Sequence, residues 1–263
     1  MIRRRLERPL LAAAVYANNK AKRLAIRLTK WTGKSAEYVH PKHLLGETAD
    51  HYWYLRHVGS GERLLDVGCG NGMHTLKAAR RCARALGIDR DAASLAVAHR
   101  LSRALGAGHV DFAAADVETG LPVARGAFDI VLCLDLLEHV HHRTLVLAEI
   151  RRALSPGGRL LLAVPNRATS WKRRLAAAGL FAYSDPDHKI EYTLDELREE
   201  LAGGGFAITE LVPSVYDTPL VGLIDVVGSL SLPAYRRLTG LRRRMAARRP
   251  EQNAGFYAIC TAR

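Results

Sequence analysis

Cysteine is scarce, four in 263 residues, and Cys69, Cys82, Cys133 and Cys260 lie far apart with no CxxC pair among them. That excludes a disulfide framework and a zinc knuckle, and fits a reducing, cytoplasmic setting. Long apolar runs are also missing. No segment reaches the ~18 uninterrupted apolar residues of a membrane span; the nearest, Leu220–Leu232, is short and contains Asp225. An export signal is only loosely imitated. Arg3–Arg5 precede the apolar Leu10–Ala17, but Glu7 and Pro9 interrupt the approach and Lys20, Lys22 and Arg23 follow at once, so export is not expected.

Acidic residues are nearly absent from the two ends. Residues 1–34 hold ten Lys/Arg and one acid, and residues 234–263 hold eight Arg and one acid. The body between them is slightly acidic, so the net charge of +13 sits at the termini. Such ends suit contact with an anionic membrane surface or with the phosphates of RNA.

What is present is first a helical pattern. From Pro9, Leu10, Ala14, Ala17, Ala21, Leu24, Leu28 and Trp31 recur at spacings of three and four. The basic residues lie towards the other side, and Gly33 ends the helix. A second helical stretch is expected near Leu44–His57. Short strands and helices then alternate, as in a parallel sheet covered on both faces. Strands are expected at Arg63–Val67, Ala83–Ile88, Val110–Ala115, Phe128–Leu134 and Arg159–Val164, with closing strands at Phe206–Val212 and Phe256–Thr261. Helices are expected at His74–Arg81, Asp91–Leu105 and Arg143–Leu154, and one follows the N-cap candidate Thr193. The division expected is a basic helical extension over 1–50, a main domain over 51–212 plus 255–263, and an apolar, then Arg-rich, helical insertion over 213–254.

Leu64-Leu65-Asp66-Val67-Gly68-Cys69-Gly70-Asn71-Gly72 puts three glycines between a buried strand and a helix. Glycine there permits a tight turn and lets the backbone approach a ligand with no Cβ in the way. The spacing is G-x-G-x-G, not the G-x-G-x-x-G of a dinucleotide loop, since position 73 is Met73. Asp66 at the strand end suits a ligand carrying an ammonium. Asp89 ends the next strand, where a carboxylate can accept both hydroxyls of a ribose. Asp116 follows the third strand, within reach of an adenine amino group in such a fold. Each acid alone reads equally well as a cap or a solvated loop residue; the combination does not.

LLDVGCGNG, GIDRD, AADVETGLP, FDIVLCLDLLEHV and LSPGGRLLLAVPN together resemble the successive motifs of class I S-adenosylmethionine-dependent methyltransferases, over about residues 55–165. The resemblance implies a doubly wound, Rossmann-like α/β fold whose mostly parallel seven-stranded sheet ends in an antiparallel strand. It implies that Gly68, Gly70 and Gly72 line the methionine part of S-adenosylmethionine, Asp66 helps hold its amino group, Asp89 the ribose and Asp116 the adenine. Leu134 and Asp135 should border the sulfonium.

The acceptor is narrowed by absences. Enzymes of this superfamily that methylate exocyclic amines commonly carry an Asn/Asp-Pro-Pro-aromatic run after the fourth strand; here Asp135-Leu136-Leu137-Glu138 stands there. No suitably placed cysteine pair serves cytosine C5 chemistry, and Cys133 reads as buried core. An oxygen acceptor needs a base, and His139 and His188 are the candidates. Asp135, Glu138 and His139 would share a face if helical. The Glu-His-Val ending resembles that of ubiquinone-type O-methyltransferases, where a carboxylate–carboxylate–histidine cluster holds a divalent metal; no metal is assigned on that basis here. The function expected is methyl transfer to an oxygen of a small-molecule or lipid-like acceptor rather than to nucleic acid, with peripheral contact to the inner membrane through residues 9–31 and 219–249. An RNA methyltransferase and a non-catalytic cofactor-binding protein are the alternatives.

Overall fold

The computed structural model describes residues 2–34, 40–45 and 50–263. In chain order the elements are α1 (Ile2–Trp31), β1 (Arg63–Val67), α2 (Met73–Ala79), β2 (Arg84–Asp89), α3 (Ala92–Ala104), β3 (Val110–Ala114), β4 (Phe128–Leu134), α4 (Arg143–Ala153) and β5 (Leu154–Pro165). They continue as α5 (Ser170–Ala177), α6 (Leu194–Gly203), β6 (Phe206–Val212), α7 (Val221–Leu230), α8 (Leu232–Arg248) and β7 (Gly255–Ala262). Short 3-10 turns cover Pro41–Leu44, Asp50–His57, Leu137–His139 and Pro250–Gln252.

The chain divides into two compact units, and one of them, Tyr52–Pro165 with Asp187–Val212 and Phe256–Arg263, carries the sheet. Its seven strands run in the order β3-β2-β1-β4-β5-β7-β6. β1 through β5 pair in parallel, and β7 is antiparallel to β6. The apolar continuity of β1, β4 and β5 follows from burial on both faces: Leu64, Leu65, Val67, Ile130, Leu161 and Leu162 are fully buried. The reversal in strand order between β1 and β4 opens the crevice in which doubly wound sheets bind ligands. Trp53 stacks on Tyr257, with ring centroids 5.3 Å apart, and anchors the 3-10 segment Asp50–His57.

Local chemistry explains most boundaries. Asp91 accepts from the backbone N–H groups of Ala93 and Ser94 and caps α3. Thr193 and Glu196 form a reciprocal capping box on α6, the strongest of the sequence start signals. Two boundaries differ from expectation. β5 begins at Leu154, reaching back through Pro156-Gly157-Gly158, because Phe128 pairs with Leu154 before a register shift lets Ile130 meet Arg159. The stretch expected to be helical near Leu44–His57 is 3-10 where it is described, and its residues 46–49 lie outside the described residues.

The second unit gathers 1–51, 166–186 and 213–255 and is helical. α1 contains Pro9 rather than starting there; as the eighth helical residue this proline lies past the first turn and forgoes the bond to the carbonyl four residues before it. α5 falls on a stretch for which the sequence suggested no element.

Candidate active site

The glycine loop turns at the C-terminal end of β1. Gly68, Gly70 and Gly72 have φ of 76°, 53° and 75°, the left-handed region that favours glycine. A Cβ at Gly68 would come within 2.8 Å of the Leu136 side chain, and one at Gly72 within 2.7 Å of Phe112, whereas Gly70 faces open space. The loop is therefore packed underneath and open above. Asp89, at the end of β2, accepts the Gly70 N–H through Oδ2 at 2.7 Å and the Asp91 N–H through Oδ1 at 2.9 Å. It ties the loop down while keeping acceptor capacity on both oxygens.

Asp66 lies beneath this loop, 2% exposed. Its Oδ2 accepts the Thr75 hydroxyl at 2.6 Å. Burial pushes its carboxyl up to about 6, against the opposing bond from Thr75 and with a further push from the charge of Asp89. Asp116 follows β3, partly exposed, with Oδ1 accepting the Glu118 N–H at 2.9 Å and Arg90 4.0 Å from Oδ2.

A cavity of about 220 Å³ opens here, and Gly68, Asp89, Asp116, Asp135, Leu136 and His139 are among the residues lining it. Asp66, Gly70, Gly72, Leu134 and His188 are not. Leu134 ends β4, half-buried. Asp135 follows with φ of 53°, the one non-glycine residue with positive φ among those described. Its N–H donates to the Ala163 carbonyl at 3.0 Å, which pins the strained residue at the mouth of the crevice.

Beyond it the chain makes the 3-10 turn Leu137–His139, so Asp135 does not share a helical face with Glu138 and His139. Glu138 instead turns inward, 1% exposed, and its carbonyl accepts the Lys189 N–H at 2.7 Å. That bond brings the 187–192 loop against the turn and places His188 beside His139, ring centroids 4.7 Å apart. His188 Nδ1 lies 2.8 Å from Oε1 of the buried Glu191, and Nε2 is 4.0 Å from Glu138 Oε1. Two candidates from sequence, 49 positions apart, thus become one cluster. Glu191 was not singled out; its signal was an acid three residues after a histidine in a short connecting segment. Glu138, His139 and His188 offer an oxygen and two nitrogens within 4.8 Å of one another, a donor set suited to a divalent transition metal. Cys133 is fully buried in β4, and burial pushes its thiol up, as core rather than chemistry requires.

Residues 65–162 match the family model described as a methyltransferase domain. That stretch is thus a methyltransferase domain, with the motifs and strand order of the class I S-adenosylmethionine-dependent type. The open glycine cradle, with acids at the ends of β1, β2 and β3, fits that cofactor. Curated relatives of the chain include the ubiquinone biosynthesis O-methyltransferases of Pseudomonas aeruginosa (strain UCBPP-PA14), 32% identical over 52% of this chain and 59% of that one, and of Nitrosococcus oceani, 37% identical over 43% and 49%. The matches therefore span only about half the length of these relatives. Among solved structures, MccD protein aligns with a TM-score of 0.58 at 18% identity, covering 81% of this chain and 96% of that one. The [4+2]-cyclase SpnF aligns at 0.56 and 20% identity, covering 80% and 78%. Both likenesses concern the fold alone, and a fold of this kind hosts more than one chemistry.

Proposed function

We propose that the protein transfers the methyl group of S-adenosylmethionine to an oxygen of a small-molecule or lipid-like acceptor. The observation that carries this reading is the Glu191–His188–His139 cluster at the edge of the cavity that the glycine loop and Asp89 share. Bound there, the donor supplies an already activated methyl on a sulfonium, so the protein's work is alignment, exclusion of water and removal of the acceptor's proton. In this reading Asp89 holds the ribose hydroxyls and Asp116 the adenine amino group. The Gly68, Gly70 and Gly72 backbone lies along the methionine part, with the charge of Asp66 beneath its ammonium, and Leu134 and Asp135 border the reacting centre. His139 faces the cavity and takes the proton. His188 backs it, its Nδ1–H held by Glu191, and orients the neighbouring imidazole. The names of the curated relatives support oxygen as the acceptor atom.

The test is incubation with labelled donor and lipid, metabolite and RNA fractions, followed by the variants His139→Gln and His188→Gln on whichever fraction is labelled. A lost base should lower kcat by about 100-fold or more with donor affinity retained; full turnover in His139→Gln removes the assignment.

For the basic elements we propose peripheral contact with an anionic membrane through residues 9–31 and 219–249, in a cytoplasmic protein. Exposed Leu10, Trp31, Leu220 and Leu223 and the basic residues of α1 and α8 support it, and among the described residues no helix is long and apolar enough to cross a membrane. RNA is the second reading, favoured only by that same charge; RNA retention that survives moderate salt and competes with turnover would promote it.

A further inference from the structure

Between Asp225 and Glu251 the chain carries seven arginines and neither a lysine nor an acid, and most of that stretch is α8. Positions 233, 236, 237, 240 and 244 follow the i, i+3, i+4, i+7, i+11 pattern of one helix face. They line an open groove of about 400 Å³, to which Arg236, Arg237 and Arg244 bring the charge. A Cβ at Gly240 would meet nothing within 4 Å, so packing does not demand glycine there. Glycine costs the helix about 1 kcal/mol relative to alanine and keeps the space between the arginines clear. Arg236 and Arg244 stand on either side of it, roughly 12 Å apart along the axis.

These three guanidinium groups make no hydrogen bond or ion pair among the described residues. Arg242 of the same helix differs, donating to the Tyr216 carbonyl at 2.8 and 3.0 Å. Compensation of the helix dipole does not account for them, because it acts within the last turn and Arg236 and Arg237 lie in the second. Charge alone would be served by lysine as well, and α1 mixes the two. Here every cation is a planar fork, which grips phosphate oxygens in pairs. Three such charges in one groove exceed what a phosphodiester, with its single charge, neutralises. A phosphomonoester brings close to two charges and three acceptor oxygens.

The neighbouring stripe of α8 selects the kind of molecule. Leu241 and Met245 stand exposed there, 47% and 41%, as suits a helix lying at an acyl boundary. A single-stranded nucleic acid would call for aromatic platforms, and the one aromatic of α8, Tyr235, is buried and donates to Asp225 Oδ1 at 3.1 Å. We propose that the arginine groove of α8 binds the headgroup of a membrane lipid ending in a phosphomonoester, phosphatidate being the simplest. Arg236, Arg237 and Arg244 hold the phosphate, with Leu241 and Met245 towards the acyl chains. This headgroup preference rests on the membrane contact proposed for residues 219–249 and is independent of methyl transfer.

Co-sedimentation of the full chain with phosphatidylcholine vesicles carrying phosphatidate or phosphatidylglycerol, matched for surface potential at each pH, tests it. At about pH 8, where the monoester is a dianion, partitioning onto phosphatidate should be about tenfold stronger, the scale of one charge-assisted bond. Near pH 5, with one charge lost, the preference should shrink to about twofold or less. Gly240→Leu fills the groove and keeps every charge. It should abolish the preference while partitioning onto phosphatidylglycerol persists, which also reports an intact helical unit. Arg236→Gln, Arg237→Gln and Arg244→Gln combined should abolish it too, whereas Arg23→Gln with Arg27→Gln on α1 should weaken both partitionings and leave their ratio. Equal partitioning by the unaltered protein overturns the headgroup site and leaves the membrane contact standing; failure to bind either vesicle overturns both. A preference undiminished in Gly240→Leu and in the triple variant overturns the site. So does release from phosphatidate by micromolar glycerol 3-phosphate, which marks a soluble ligand, or by equimolar single-stranded RNA, which assigns the groove to nucleic acid.

Discussion

Asp66 offers the sharpest quantitative test of the donor site. Its carboxyl, pushed up to about 6 by burial, is part-protonated in mildly acidic solution, about two units above an ordinary aspartate. An ammonium placed above it favours the ionised form, so donor binding and loss of the Asp66 proton are linked. Above pH 6 the affinity for S-adenosylhomocysteine should be level. Below it, affinity should fall by up to tenfold per unit, the equivalent of about 1.4 kcal/mol, until the complex itself takes up the proton. The same shift acts on stability with the opposite sign from the usual carboxylate. Between about pH 4 and 6 the unfolded chain has released this proton and the folded chain retains it, so the Asp66 contribution to stability declines as pH rises, by roughly 3 kcal/mol across two units. Calorimetric titration from pH 4.5 to 7.5, and urea unfolding over the same range, measure the two effects. Asp66→Asn should flatten both profiles and lower the plateau affinity roughly tenfold or more, the scale of a charge-assisted interaction. A level affinity between pH 5 and 7 in the unaltered protein, or the same slope in Asp66→Asn, refutes the reasoning.

Four further outcomes are expected. Asp89→Ala removes the proposed ribose acceptor and the Gly70 anchor together, and should weaken S-adenosylhomocysteine by about two orders of magnitude, two charge-assisted bonds at roughly 1.5 kcal/mol each, as read by calorimetry. Gly68→Ala meets both a positive φ and the Leu136 side chain; unfolding should show a loss of about 1–3 kcal/mol, with donor binding reduced alongside. Glu191→Gln should lower kcat with little change in KM and alter the pH–rate profile, since His188 loses its charged partner; a change in stability alone would limit Glu191 to packing. A divalent cation on Glu138, His139 and His188 would occupy both imidazoles, so added Zn²⁺ should inhibit turnover and a chelator should leave it intact. Turnover abolished by the chelator and restored by metal would assign the cluster to a cofactor instead.

Periodicity and punctuation made the sheet unit legible before its structure was known. The buried runs at Leu64–Val67 and Ile130–Cys133, the glycines at 68, 70 and 72, and the cap at Thr193 are local signals: each depends on residues within a few positions and on backbone rules that hold in any fold. The same is true of Asp89 and Asp116, whose places at strand ends follow from chain order. What the tertiary structure alone decided depends on pairs distant in sequence. The turn at Leu137–His139 is 3-10 and not α-helical because the Lys189 N–H draws the Glu138 carbonyl to the 187–192 loop, and that one bond sets His188 beside His139. Burial raised the carboxyl of Asp66, and no spacing rule reports burial under a particular loop. Likewise 166–186 joined the helical unit through contacts between residues distant in sequence that no local pattern encodes. Local sequence determines where a segment can turn or run; only packing determines which segments then share a dielectric, a proton or a ligand.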